Sequence, residues 1–136
     1  MTKLERAPTR TYHNPIMESA RWDDHAIRPD DIVIATYPKC GTTWTQRIID
    51  LLVFQDPAPR PIMDVSVWLD ARIFGTQEEN LATLDAQTHR RFIKSHLPLD
   101  SLPIYDTVCT STWPATAATP SSRGTTTFRA SPPIPR

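Results

Sequence analysis

Apolar residues fall into a few short patterned runs, separated by proline-rich and polar stretches. "RPDD", Arg28 to Asp31, has the Pro and Asp of a turn, and Ile32 to Thr36 follows as a continuous β-branched and apolar run. A run this short predicts a short buried strand. From Thr43 to Phe54, residues Trp44, Ile48, Leu51 and Leu52 recur at spacings of three and four, which predicts a helix with one apolar face. "DPAPRPIMD", Asp56 to Asp64, is proline-rich and predicts a loop. Val65 to Arg72 reads as a short helix. Thr76 to Gln87 reads as a longer one, with Thr76 as N-cap, Glu79 three residues on, and Leu81 and Leu84 facing inward. Arg90 to Pro98 predicts a second strand that ends near His96, where Pro98 stops it. Ser101 to Val108 reads as a loop leading into a third strand. Met1 to Arg10 is polar and loose, and Thr11 to Ala26 shows no period. Strand, helices, strand is the order of an α/β unit with a parallel sheet.

Composition changes the picture at the C-terminus. Of the last thirty residues, seventeen are Thr, Ser or Pro, and only Val108 and Ile134 are of the Val/Ile/Leu/Met kind. Such a segment cannot bury enough apolar surface to offset the entropy of ordering it. The domain reading is therefore a flexible N-terminus at 1–10, an α/β domain at 11–108 and a disordered tail at 109–136. Charge divides in the same way. All fifteen acidic residues lie at or before Asp106, against twelve Lys and Arg, whereas the last thirty residues carry three Arg and no acid. The balanced total implies neither a nucleic-acid partner nor a membrane partner. With no apolar leader, no run long enough to span a bilayer and only Cys40 and Cys109, the expectation is a cytoplasmic protein. Nothing in the chain sets its oligomeric state.

The candidate chemistry sits in "ATYPKCGTTWTQ", Ala35 to Gln46, where the first strand turns into the first helix. A helix N-terminus offers free backbone N–H groups and partial positive charge. Gly41 permits close backbone approach, Thr42 and Thr43 add hydroxyls, and Lys39 adds a full charge. Together they suit a phosphate or sulfate; the plain alternative is a capped helix start with a chance lysine. The ATP-type loop places its Lys after the second Gly, whereas Lys39 precedes the only Gly here, so a nucleotide kinase is disfavoured. A cysteine phosphatase needs five residues between Cys and Arg, and Cys40 to Arg47 has six.

"YPKCGTTW", Tyr37 to Trp44, resembles the 5′-phosphosulfate loop of the P-loop sulfotransferases, usually YPKSGTTW, with Cys40 in place of Ser. "RRFIKSHLPLDSLP", Arg90 to Pro103, resembles the segment that carries that family's catalytic histidine, and "DVSVWLDAR" is similar to the stretch between them in bacterial members. The resemblance covers Thr11 to Val108 and implies a P-loop-type parallel sheet with flanking helices. The donor it implies is 3′-phosphoadenosine 5′-phosphosulfate, with a small-molecule hydroxyl or amine as acceptor and no metal. Lys39 would bond the oxygen bridging sulfate and phosphate. Cys40, Gly41, Thr42 and Thr43 would cradle the 5′-phosphate, and Trp44 would stack on the adenine. His96 would be the general base, and Lys94 would point at the transferring group. His13, His25 and His89 show no ligand spacing.

The family's next element, V-x-V-A-R-[DN]-x-[RK]-D-x-x-x-S, holds the 3′-phosphate and is missing after Val108. Reading the tail one base out of frame changes this. When each new codon takes the last base of one codon and the first two of the next, "CTSTWPATAATPSSRGTTTF", Cys109 to Phe128, permits HVYMARDGRDAFFSWHNHF. The single codon of Trp113 forces Ala at the next shifted position, where the family has Ala. The tail is thus read as a frameshift product, the alternative being a natural Ser/Thr/Pro-rich extension. Two functions follow: a sulfotransferase impaired by truncation, or an inactive relic that only binds phosphate or sulfate weakly at the loop.

Overall fold

The computed structural model describes residues 2–113. At its centre is a three-stranded parallel sheet in the order β3–β2–β5, with β2 at Ile32–Thr36, β3 at Phe92–Ser95 and β5 at Cys109–Trp113. All five residues of β2 are buried, as expected for a central strand covered on both faces. Its alternate side chains feed two cores. Val33 and Ala35 join Ile93, Leu69, Leu84, Leu97 and Trp22 on one side. Ile32 and Ile34 join Phe92 on the other, against Ile49, Val53 and Phe54 of helix α1, Thr42–Phe54. This is the predicted α/β architecture, with a parallel sheet and flanking helices.

Helix α3, Gln77–Ala86, starts as predicted. Thr76 Oγ1 accepts from the Glu79 N–H, and Glu79 Oε2 accepts from the Thr76 N–H, which closes a capping box. Leu84 is fully buried, and Leu81 packs partly buried against the same core.

Five expectations differ. The apolar stripe of α1 is not its packed face: Trp44, Ile48, Leu51 and Leu52 are exposed, while Thr42, Thr45, Gln46 and Asp50 are buried. The polar residues can be buried because each has a partner: Thr42 bonds Thr36, Gln46 Nε2 donates to Ser66 Oγ at 2.9 Å, and Asp50 pairs with Arg47 and Arg60. Ile48 and Leu52 instead border an open apolar hollow of about 490 Å³ beside β5. No helix forms over Val65–Arg72. A single turn, α2, forms earlier at Ile62–Val65 inside the expected loop, after Pro61 as N-cap. Val67 and Leu69 then bond the outer edge of β3 through the Lys94 N–H and C=O, at 2.8 and 3.3 Å. The N-terminus is not loose throughout: β1, Leu4–Arg6, pairs antiparallel with β4, Ile104–Tyr105. A turn of 3-10 helix at Ser19–Trp22 lies in the stretch read as aperiodic. Finally, the tail was expected to begin at Cys109, yet Cys109–Trp113 runs beside β2 as β5. Backbone pairing on an open edge depends little on side-chain identity, and Thr and Trp suit strands. The expectation for 114–136 lies outside the described residues.

Candidate active site

β2 ends at Thr36, and the loop Tyr37–Gly41 leads directly into α1. Two residues bend it. Lys39 has φ +65° and Gly41, the N-cap of α1, has φ +82°. A Cβ at Gly41 would meet no atom within 4 Å, so its glycine answers to backbone conformation and leaves open space beside the helix start. The N-cap supplies no side-chain hydrogen bond, so first-turn N–H groups stay available to a ligand. Lys39, Gly41, Thr43 and Trp44 are exposed around this opening, and Cys40 is half-buried. Thr42 turns inward instead, its hydroxyl bonded to that of Thr36. Thr45 Oγ1 donates to the Gly41 carbonyl at 3.0 Å and closes the first turn. An exposed lysine, first-turn N–H groups and a glycine that allows close approach lie together in this short loop, a combination that could hold an anion.

His96 follows β3. Because the strands are parallel and in register, with Ala35 opposite Ser95, the next residue on β3's side reaches the end of β2. His96 Nδ1 lies 2.6 Å from the Thr36 carbonyl oxygen. A carbonyl only accepts, so Nδ1 carries the proton and Nε2 holds a lone pair. Burial pushes His96 below the usual imidazole range; the Thr36 bond opposes this, and the charge of Lys94 adds to it. A neutral ring with a free Nε2 is the form a general base needs.

Lys94 precedes His96 by two residues and lies on the same face of β3. Its Nζ sits 4.3 Å from the centre of the Trp68 ring. The same ring meets His96 in a T-shaped contact with centroids 4.8 Å apart. Burial lowers the Lys94 pKa, and Asp70 opposes the change. Thus Lys39, Cys40, Gly41, Thr42, Thr43 and Trp44 gather at one loop, and His96 is tied to that loop's root. Lys94 is held beside His96 on Trp68. Sequence reasoning did not single out Thr36, Trp68 or Asp70. Their signal was faint: a strand-end threonine, and an aromatic and an acid two apart in "VWLDAR".

The profile of the sulfotransferase domain family matches residues 29–108. The glycolipid sulfotransferase of Mycobacterium tuberculosis is 50% identical over 98 residues, which cover 71% of this chain and 30% of that protein. Cytosolic sulfotransferase 1 of Danio rerio is 38% identical over 81 residues, covering 56% of this chain and 27% of that one. Among solved structures, retinol dehydratase in complex with androsterone and the inactive cofactor PAP is similar with a TM-score of 0.54. It is 24% identical and covers 69% of this chain and 38% of its own. This likeness supports the fold. The chain therefore spans about a third of the length of these relatives. Among the described residues, no helix is long and apolar enough to cross a membrane. Matched over most of its described length by one profile, the chain belongs to the sulfotransferase domain family.

Proposed function

We propose that this chain carries the donor-loop and base-bearing part of a sulfotransferase, acting on a hydroxyl or amine of a small-molecule acceptor in the cytoplasm. The observation that carries the reading is His96: Nδ1–H is committed to the Thr36 carbonyl at 2.6 Å, which leaves Nε2 free beside the root of the anion loop. A relative's bound PAP and androsterone support a nucleotide donor and an apolar alcohol acceptor. When bound, 3′-phosphoadenosine 5′-phosphosulfate supplies the sulfuryl group. Gly41, Thr43 and the N–H groups opening α1 hold phosphate oxygens, and Trp44 offers its exposed ring to the adenine. Lys39 stabilises the charge on the oxygen that leaves. His96 Nε2 takes the acceptor proton as the acceptor oxygen or nitrogen bonds to sulfur, and Lys94 adds positive charge on the same side. Cys40 keeps the backbone N–H of the usual serine and loses its hydroxyl.

We extend the reading to the tail: the coding sequence leaves frame near Val108, and the 3′-phosphate element is lost with it. The forced Ala after Trp113 and the A-R-D-G-R-D permitted in the shifted frame support this. Strand β5 does not oppose it, because a parallel edge accepts any strand-tolerant backbone. Calorimetry of the full chain with PAP separates the two functions. Micromolar binding supports a donor site; millimolar binding or none supports the relic that holds phosphate or sulfate weakly. Placing His96→Ala at the matching position of a full-length relative should abolish transfer and keep donor binding. Equal loss of both would refute the general-base role. Sequencing the gene across Tyr105–Arg136 decides the frame.

A further inference from the structure

Asp70 is fully buried, and no role in the transfer described above calls for it. It reaches the site through the segment paired to the outer edge of β3, where Trp68 lies opposite Lys94. Ser95 Oγ donates to Asp70 Oδ2 at 2.5 Å, and the same Oγ accepts from the Leu97 N–H at 3.0 Å. These two bonds bracket His96 on both sides of its own residue. The other oxygen, Oδ1, is buried without a hydrogen-bond partner, as is Trp68 Nε1. The Trp68 indole and the His96 backbone N–H nevertheless face the carboxyl group and favour its charge. Lys94, on the adjacent strand, is attracted by it. On the backbone side, Arg21 Nη1 donates to the Ala71 carbonyl at 2.6 Å, and the Glu18 N–H donates to that of Asp70 at 2.9 Å.

We infer that Asp70 is a positioning residue of the transfer site, pinning the turn that carries His96 through Ser95 and, from the segment whose Trp68 pairs with Lys94, supplying that lysine with a buried counter-charge. The inference rests on the sulfotransferase reading for what is positioned, and on geometry alone for the coupling. A buried carboxyl with one unmet oxygen is costly, so its retention beside Lys94 and His96 calls for an account. Burial raises Asp70 to about 6, against the hydrogen bonds from Ser95 and the other donors. Its charge therefore develops as pH rises through that value, and Lys94 should register the change.

The chain has three lysines, Lys3, Lys39 and Lys94, which makes the test direct. With the full chain carbon-13 dimethylated on its amines, the Lys94 signal should show an inflection near pH 6, where Asp70 ionises. His96 also titrates near Lys94, so two variants assign the inflection. It should persist in His96→Gln and vanish in Asp70→Asn, which keeps the shape and an acceptor for Ser95. Disappearance in His96→Gln, or persistence in a folded Asp70→Asn, overturns the counter-charge role. The first outcome is readable even where Asp70→Asn does not fold. Ser95→Ala should cost the protected Nδ1–H resonance of His96; its retention overturns the pinning role. No donor is used, so a chain that failed to bind PAP would sink the sulfotransferase reading and leave these couplings measurable.

Discussion

Replacing Arg91 with Met should destabilise the protein by about 3–5 kcal/mol. The reason lies in the pair it forms. Arg91 and Asp31 side chains are both wholly inaccessible to solvent. Arg91 Nε donates to Asp31 Oδ1 at 2.7 Å, and Nη2 donates to Oδ2 at 2.5 Å and to the Ala26 carbonyl at 2.8 Å. Burial alone would raise the Asp31 pKa; the nearby His25 ring, the Arg91 guanidinium and the Arg28 N–H outweigh it and hold the carboxyl below its usual range. Removing the guanidinium leaves a buried carboxylate without its main partner, which costs far more than an exposed ion pair is worth. The position matters too. Asp31 and Arg91 stand one residue before β2 and β3, so the pair fixes the near ends of the two strands whose far ends carry the anion loop and His96. Urea unfolding of the full chain, followed by tryptophan fluorescence, measures the loss. The paired change Asp31→Leu with Arg91→Met should recover most of it, because an apolar pair leaves no charge to solvate. A loss below about 1 kcal/mol for the single change would refute the reasoning, since it would mean the pair is effectively solvated. So would a double variant as unstable as the single one.

Thr76→Ala removes the capping box and should cost about 1 kcal/mol, seen as faster amide exchange in the first turn of α3. Trp44 is 78% exposed, so Trp44→Ala should shift the urea midpoint by less than about 0.5 kcal/mol in stability. If its ring stacks on adenine, the same change should weaken PAP binding at least about fivefold by calorimetry. Asp70 is raised to about 6 from an unfolded value of 3.8, so the folded state binds its proton more tightly. That contribution favours folding most below pH 3.8 and is lost as pH rises through about 6, on the order of 3 kcal/mol. Asp31, shifted downward, works in the opposite sense: its contribution is present above pH 3.8 and lost as pH falls through its lower folded value. An Asp70→Asn variant should therefore lose stability less than the parent between pH 5 and 7 in matched urea titrations.

Local signals made the frame of the site legible. Ile32–Thr36 could be read as a buried strand because its apolar run is too short for a helix and is bounded by turn residues. The Thr76–Glu79 box could be read because capping is a contact between neighbours in sequence. The candidate loop was legible for the same reason: Lys39, Gly41, Thr42 and Thr43 lie within a few residues of one another. What the chain could not declare is which surfaces meet. Periodicity finds the apolar stripe of α1, yet packing buries the face holding Gln46 and Asp50, whose partners Ser66 and Arg60 come from later in the chain. Likewise Val67–Leu69 bridges to Lys94 because β3 offers it an edge, while its own sequence is equally compatible with a helical turn. His96 is named by a motif, but its tautomer comes from the Thr36 carbonyl, sixty residues away and beside it only once β2 and β3 align in register. The sequence by itself determined strands β2 and β3, helices α1 and α3, and which candidate groups for an anion and a proton the chain offers, because those depend on local backbone preference and side-chain chemistry. The tertiary structure alone decided which nitrogen is free, which carboxyl is buried and which helix face stays open, because desolvation and hydrogen-bond pairing exist only between residues that folding brings together.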